Sequence, residues 1–303
     1  MLHIDAISST SAQVILSLAV MLFSGFLMTR LTKLAHLPNV TGYILAGVLI
    51  GPCVLNLIPE TVQNGMDFVT DVALAFIAFG VGKYFKLERL RKNGRSVLIL
   101  TVFESLIAAL LIFLVMAFVF RLPIPFSLLL GAIGSATAPA STIMTIRQYK
   151  AKGQFVDILL QIVALDDAVA LLAFSVCAAI AQAMEGGSGI SPKAVLLPIL
   201  WNLLALAAGA LAGFLLHKLL GENRSSQHRL VLVTALLLSI TGFCTALDIS
   251  PLLACMVMGA VYINVSGNKK VFKQVNGFTP PIQLLFFVLS GMRMDLTALK
   301  AAG

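Results

Sequence analysis

Ten times along its 303 residues the chain runs through a stretch of about twenty mostly apolar residues, the length an α-helix needs to cross a bilayer core of ~30 Å. Backbone groups in hydrocarbon have no water to bond, so such runs fold there as helices that satisfy their own hydrogen bonds. The predicted spans are 12–34, 39–58, 67–84, 95–120, 124–146, 155–184, 194–220, 229–247, 250–265 and 280–299. Charged residues are 11% of the chain, against about 25% in soluble domains, and the mean hydropathy is +0.99. The expected class is an all-α polytopic membrane protein with ten transmembrane helices.

The basic residues test that division, because a wrong number of spans would scramble any alternation between the two sides. Seventeen of the 21 Lys and Arg fall in odd-numbered connections: near Arg30, from Lys83 to Arg95, from Arg147 to Lys152, from Lys218 to Arg229, and from Lys269 to Lys273. Only Arg121, Lys193, Arg293 and Lys300 fall elsewhere. The odd connections are therefore expected in the cytoplasm and the N-terminus outside, in the cell (inner) membrane. The net charge of +8 marks that side and contacts lipid headgroups; no nucleic-acid partner is expected. No basic leader precedes the first run, which is too long for a cleaved signal and is expected to be retained. Cys53, Cys177, Cys244 and Cys255 sit in apolar segments without paired spacing, so neither a zinc site nor a disulfide framework is predicted.

An internal repeat adds a second constraint. "GYILAGVLIGPCVLN" (42–56) aligns with "SPLLACMVMGAVYIN" (250–264), pairing Gly51 with Gly259, and "FIAFGVGKYFKLERLR" (76–91) aligns with "LFFVLSGMRMDLTALK" (285–300), pairing Gly82 with Gly291. Seven spans separate the copies, an odd number, so the repeat is inverted, as in many transporters. Spans eight to ten would then repeat spans one to three, with span seven as a linker. The counterparts of spans four to six would begin just past residue 303, which predicts that the chain is a truncated form of a protein of about thirteen spans.

Two features point to a site. Span five crowds Gly131, Gly134, Ser135, Thr137, Pro139, Ser141 and Thr142 into its second half. Proline removes a donor and clashes with the preceding turn, which predicts a helix broken at about 135–140, with a simple proline kink as the alternative. Unwound backbone within a membrane offers carbonyls and helix ends to ions. Span six carries Asp166 and Asp167 in "IVALDDAVALL" (162–172), about twelve residues in, or ~18 Å of helix, near mid-depth. Each carboxylate at that depth costs roughly 2.5–3.5 kcal/mol, and no Lys or Arg lies at comparable depth to pair with it. Adjacent residues project ~100° apart, so the two are expected to face different neighbours and to differ in role. A buried carboxylate holds a proton or a cation but not both, and that competition couples an exchanger. Glu104, in span four, is a possible supporting carboxylate on the ion path. An aspartyl protease would bring its two Asps from separate helices, so no enzyme activity is expected. No cofactor is expected, and no metal beyond the transported cation.

"LPNVTGYILAGVLIGPCVL" (37–55), "ALAFIAFGVGKYFKLERLR" (73–91), "LDDAVAL" (165–171) and "LLFFVLSGMRMDL" (284–296) together resemble the monovalent cation:proton antiporter-2 family of bacterial sodium/proton and potassium/proton antiporters. The resemblance implies a thirteen-span fold with a panel that forms a homodimer and a core that moves like an elevator. It would make residues 1–93 panel helices one to three, 94–186 core helices four to six, 194–228 linker helix seven and 229–303 panel helices eight to ten. It implies that Asp167 binds cation and proton in turn, and that Asp166 is the neighbour that pairs with a late lysine in electrogenic members. That lysine would lie beyond residue 303. Thr137 takes the place of the polar residue at the helix break, flanked by Ser135 and Ser141 as further cation ligands, while Ala138 stands where some relatives carry Asp. The expected function is exchange of a monovalent cation, sodium before potassium, for protons by alternating access. Sodium-coupled solute uptake on the same scaffold and a non-transporting truncated form are the alternatives.

Overall fold

A computed structural model describes residues 4, 7–137, 139–186, 192–221, 225–247 and 249–295. Lys193 has no described side chain, and Arg224 and Lys300 of the basic pattern lie outside the described residues altogether. Among the described residues there are helices and no strands. In chain order they are α1 (Thr10–Leu34), α2 (Asn39–Ile50), α3 (Glu60–Asn64), α4 (Asp67–Gly82), α5 (Leu87–Leu114), α6 (Ile124–Gly134), α7 (Pro139–Gln148), α8 (Gln154–Gly186), α9 (Pro192–Leu220), α10 (Ser226–Ala246), α11 (Pro251–Ser266), α12 (Lys270–Phe278) and α13 (Pro280–Met292). A π-helical turn at Val115–Val119 extends α5.

Local chemistry explains many of the ends. Ser9 and Ser225 cap α1 and α10, each hydroxyl accepting a backbone N–H from the first turn. Proline occupies the first turn of α6, α11 and α13, where its missing N–H costs nothing. Gly267, at φ 63°, closes α11 in the left-handed conformation.

Among the described residues, four helices are long and apolar enough to cross a membrane: Thr10–Leu34, Gly94–Val119, Ile199–Leu220 and Ser226–Ala246. A fifth span forms if α12 and α13, bent by 48° at their junction, are taken together. The other predicted spans appear as shorter apolar helices or as parts of helices. The span predicted over 39–58 ends as a helix at Ile50, because Gly51 is extended at ψ 179°. Of the span predicted over 280–299, the described residues are helical as far as Met292. Two basic stretches predicted as connections are helical instead. The segment ahead of residue 95 forms the first turns of α5, and 270–278 forms α12. Apolar spacing explains the second case: Val271, Phe272 and Val275 bury one face of α12 while Lys273 stays exposed.

The chain divides into two compact units. The first comprises Met1–Ile77, Ser141–Ala151 and Lys273–Gly303. Here α2 packs against α1 and α13 around Met21, Ala46, Ile50, Val288 and Leu289. Gly47 lies against the Val288 carbonyl and Gly291 against the Ile44 carbonyl, leaving no room for a β-carbon on either. The second half of the broken span belongs to this unit. It is tied by Gln148, which accepts from the Asn39 amide at 2.8 Å, and by Arg147, which donates to Asn276 at 2.9 Å.

The second unit comprises Ala78–Ala140 and Lys152–Phe272. Its α11 packs on α9, where Gly209 lies against Ala254. It also meets the end of α4, where Gly82 lies against Met256 and Gly259 against Phe79. Asn264, on α11, holds the turn into α5: it accepts from the Leu87 amide at 2.8 Å and donates to the Phe85 carbonyl at 2.7 Å. The remaining helices of the unit include α5, α6 and α8, each packed on the other two.

Candidate functional site

The three helices α5, α6 and α8 converge on the break in span five. Close approach begins with Gly131 of α6: a β-carbon there would lie 2.6 Å from the Ala109 carbonyl oxygen and 3.1 Å from the Phe113 β-carbon. Small residues let membrane helices approach in this way. Regular helix then stops at Gly134, and α7 starts at Pro139, whose ring suits a first helical turn. The described residues between carry three backbone donors, two of which, on Ser135 and Ala136, turn back to the Ile133 carbonyl.

One of those donors finds a carboxylate. The Thr137 amide donates to Asp166 Oδ2 at 2.7 Å. The Thr137 hydroxyl donates to Glu104 Oε1 at 3.3 Å, so a single residue of the break links carboxylates on α8 and α5. Asp166 is 0% exposed. Its other oxygen, Oδ1, is buried without a hydrogen-bond partner. A buried carboxylate oxygen left in this way can accept a donor or a positively charged partner.

The other sequence-predicted residues fall as follows. Asp167 is in the same helix, one residue on, and its side chain lies outside the described residues. Ser135 is buried, with its hydroxyl donating to the Ala132 carbonyl at 2.8 Å, which commits its hydrogen to the end of α6. Ser141 is half-buried at the third residue of α7 and belongs to the first unit, whereas Asp166, Thr137 and Glu104 belong to the second. Four polar residues that sequence reasoning passed over are also buried on these helices, Thr101 and Ser105 on α5, Ser127 on α6 and Gln161 on α8. The one available signal was an uncharged polar residue within an apolar run, which is too common to single out a site.

The family described as sodium/hydrogen exchanger, transmembrane, matches residues 15–302. No curated protein matches. Among solved structures, the sodium proton antiporter MjNhaP1 from Methanocaldococcus jannaschii, determined at pH 8, is similar with a TM-score of 0.70 and 20% sequence identity, over 95% of this chain and 72% of that chain. At that identity the likeness establishes the fold.

Proposed function

The chain belongs to the transmembrane sodium/hydrogen exchanger family, and on that premise we propose that it exchanges sodium for protons by alternating access through the α5–α6–α8 site. It is an integral membrane protein of a transporter family and fold, not of an enzyme fold. The observation that carries the site is the Thr137 link, in which a helix break inside a membrane protein donates its amide to a fully buried Asp166. The amide holds Oδ2 and orients the carboxylate, leaving Oδ1 to face the ion. Asp167 is the exchanging ligand, alternating between sodium and proton. Asp166 sets its charge and anchors it to the break, and Thr137, flanked by Ser135 and Ser141, contributes oxygens from the broken helix. Glu104 supports the site from α5 through the Thr137 hydroxyl.

The wider arrangement follows the same reading. The protein sits in the cell (inner) membrane with its N-terminus outside and forms a homodimer through panel helices at 1–93 and 229–303, with 94–186 as the core helices and 194–228 as the linker. An inverted repeat relates α2 to α11 and α4 to α13. Two observations support it. The α2–α13 crossing uses Gly47 on Val288 and Gly291 on Ile44, and the α4–α11 crossing uses Gly259 on Phe79 and Gly82 on Met256, the same two contacts in each. In this correspondence Gly47, not Gly51, matches Gly259, one helical turn from the sequence alignment.

The test is exchange in proteoliposomes loaded with a pH-sensitive dye, with sodium and potassium added in turn. Sodium pulses should move protons in the parent, and Asp167→Asn and Asp166→Asn should each abolish the signal. Parent-like exchange in either variant would rule out the site, and a response to potassium alone would reassign the cation.

A further inference from the structure

Three buried oxygens on two packed helices have no hydrogen-bond partner among the described residues: Ser105 Oγ on α5, and Gln161 Oε1 and Asp166 Oδ1 on α8. Each residue is at most 1% exposed. They are part of a wider concentration. Of the thirteen buried polar residues among those described, six lie on α5, α6 and α8 or at the end of α6, so the interior of this helix cluster is polar where a membrane protein is expected to be apolar.

Local bonds account for half of the six. Thr101 donates to Val97, Ser127 to Leu122 and Ser135 to Ala132, each to a carbonyl on or just ahead of its own helix. Ser105 makes no such bond. Gln161 is oriented by its amide nitrogen, which donates to the Asp157 carbonyl at 2.9 Å and so presents the oxygen as an acceptor. What is left is a hydroxyl, an amide oxygen and a carboxylate oxygen, all able to accept and none supplied with a donor. Water or a hard cation satisfies such a set, and oxygen ligands are what hard cations take.

Their positions along the helices form a sequence of steps. Ser105 follows Glu104, whose carboxylate meets Thr137 beside Asp166, so it lies one residue, ~1.5 Å, along α5 from that level. Gln161 precedes Asp166 by five residues, ~7.5 Å of α8, towards the end next to Lys152. We propose that Ser105 and Gln161 are ligand-bearing residues of a buried, hydrated route through the α5–α6–α8 cluster, along which the monovalent cation reaches Asp166 from the Lys152 end of α8. The proposal rests on the exchange reading above. Each oxygen takes the place of one hydration water as the ion moves inward, so the two residues set cation affinity, while the carboxylates carry the exchange itself.

The test combines accessibility with transport in the full chain. With Cys53, Cys177, Cys244 and Cys255 replaced by Ala, Ser105→Cys should react with silver ion or a small hydrophilic methanethiosulfonate, and sodium should slow the reaction. Ser105→Ala and Gln161→Met should each raise the apparent KM for sodium by roughly threefold or more with little change in maximal rate, and Ser105→Thr should restore it. An unreactive thiol in a Ser105→Cys protein that still exchanges would overturn the route. So would parent-like KM values in both substitutions. If Gln161→Met does not fold, the Ser105 variants decide alone. Asp166→Asn in the same liposomes separates the two readings. If it is inactive while Ser105→Ala and Gln161→Met behave like the parent, only the route fails. If it exchanges like the parent, the reading of the site fails instead.

Discussion

Replacing Gly82 by Ala adds one methyl group at a close crossing of α4 and α11. That β-carbon would stand 2.6 Å from the Ala260 nitrogen and 2.7 Å from the Gly259 carbonyl carbon, where ordinary contact begins at 3.4 Å. The helices would have to part by about 0.8 Å, and because the obstacle is backbone, no rotamer change relieves it. Overpacking of this kind costs about 1–3 kcal/mol, and the upper half of that range is expected because the whole crossing must shift. The same substitution at Gly242 is the control. Nothing lies within 4 Å of a β-carbon there, so Gly242→Ala should be stabilising by roughly 0.5–1 kcal/mol through helix propensity. Two chemically identical changes should therefore move the thermal midpoint of the detergent-solubilised protein in opposite directions, read as the loss of the monodisperse peak on size-exclusion chromatography after heating. Equal shifts of the same sign would refute the claim that backbone proximity at this crossing, rather than loss of glycine as such, sets the cost.

Other substitutions probe separate contacts. Thr137→Ala removes the hydroxyl bound to Glu104 but keeps the amide bound to Asp166, whereas Thr137→Pro removes that amide; sodium-driven proton movement in liposomes should fall partly in the first and be lost in the second. Asn264→Ala removes the side chain that bonds the Leu87 amide and the Phe85 carbonyl at an exposed turn and should cost about 0.5–1.5 kcal/mol, seen as faster hydrogen exchange confined to the turn between α4 and α5. Arg293 pairs with Asp67, but both side chains are well exposed, at 43% and 74%, so Arg293→Ala should lower thermal stability by no more than about 0.5 kcal/mol, and less in high salt.

Much of the site could be read in the sequence because its signals are local. A proline among small and polar residues leaves a helix little choice at 135–138, and two carboxylates in an apolar run stand out whatever surrounds them. Membrane residence and the long apolar helices follow from hydropathy in the same way, since each depends on a segment and its solvent. Which glycines meet a carbonyl across a crossing, such as Gly47 on Val288 and Gly82 on Met256, is set by how the helices pack and was not legible.

The chain by itself thus determined that there is a membrane, a broken helix and a pair of intramembrane acids. Only the tertiary structure decided that Asp166 meets the amide of the break, that Glu104 joins it through Thr137, that Ser105 and Gln161 keep unpartnered oxygens among α5, α6 and α8, and that 270–278 is a helix rather than a connection. Which way a side chain points in a bundle depends on the rotation of each helix against its neighbours. Adjacent residues on one helix point ~100° apart, and helix rotation is set by packing at places such as Gly131 on Ala109, far in sequence from the residues it aims.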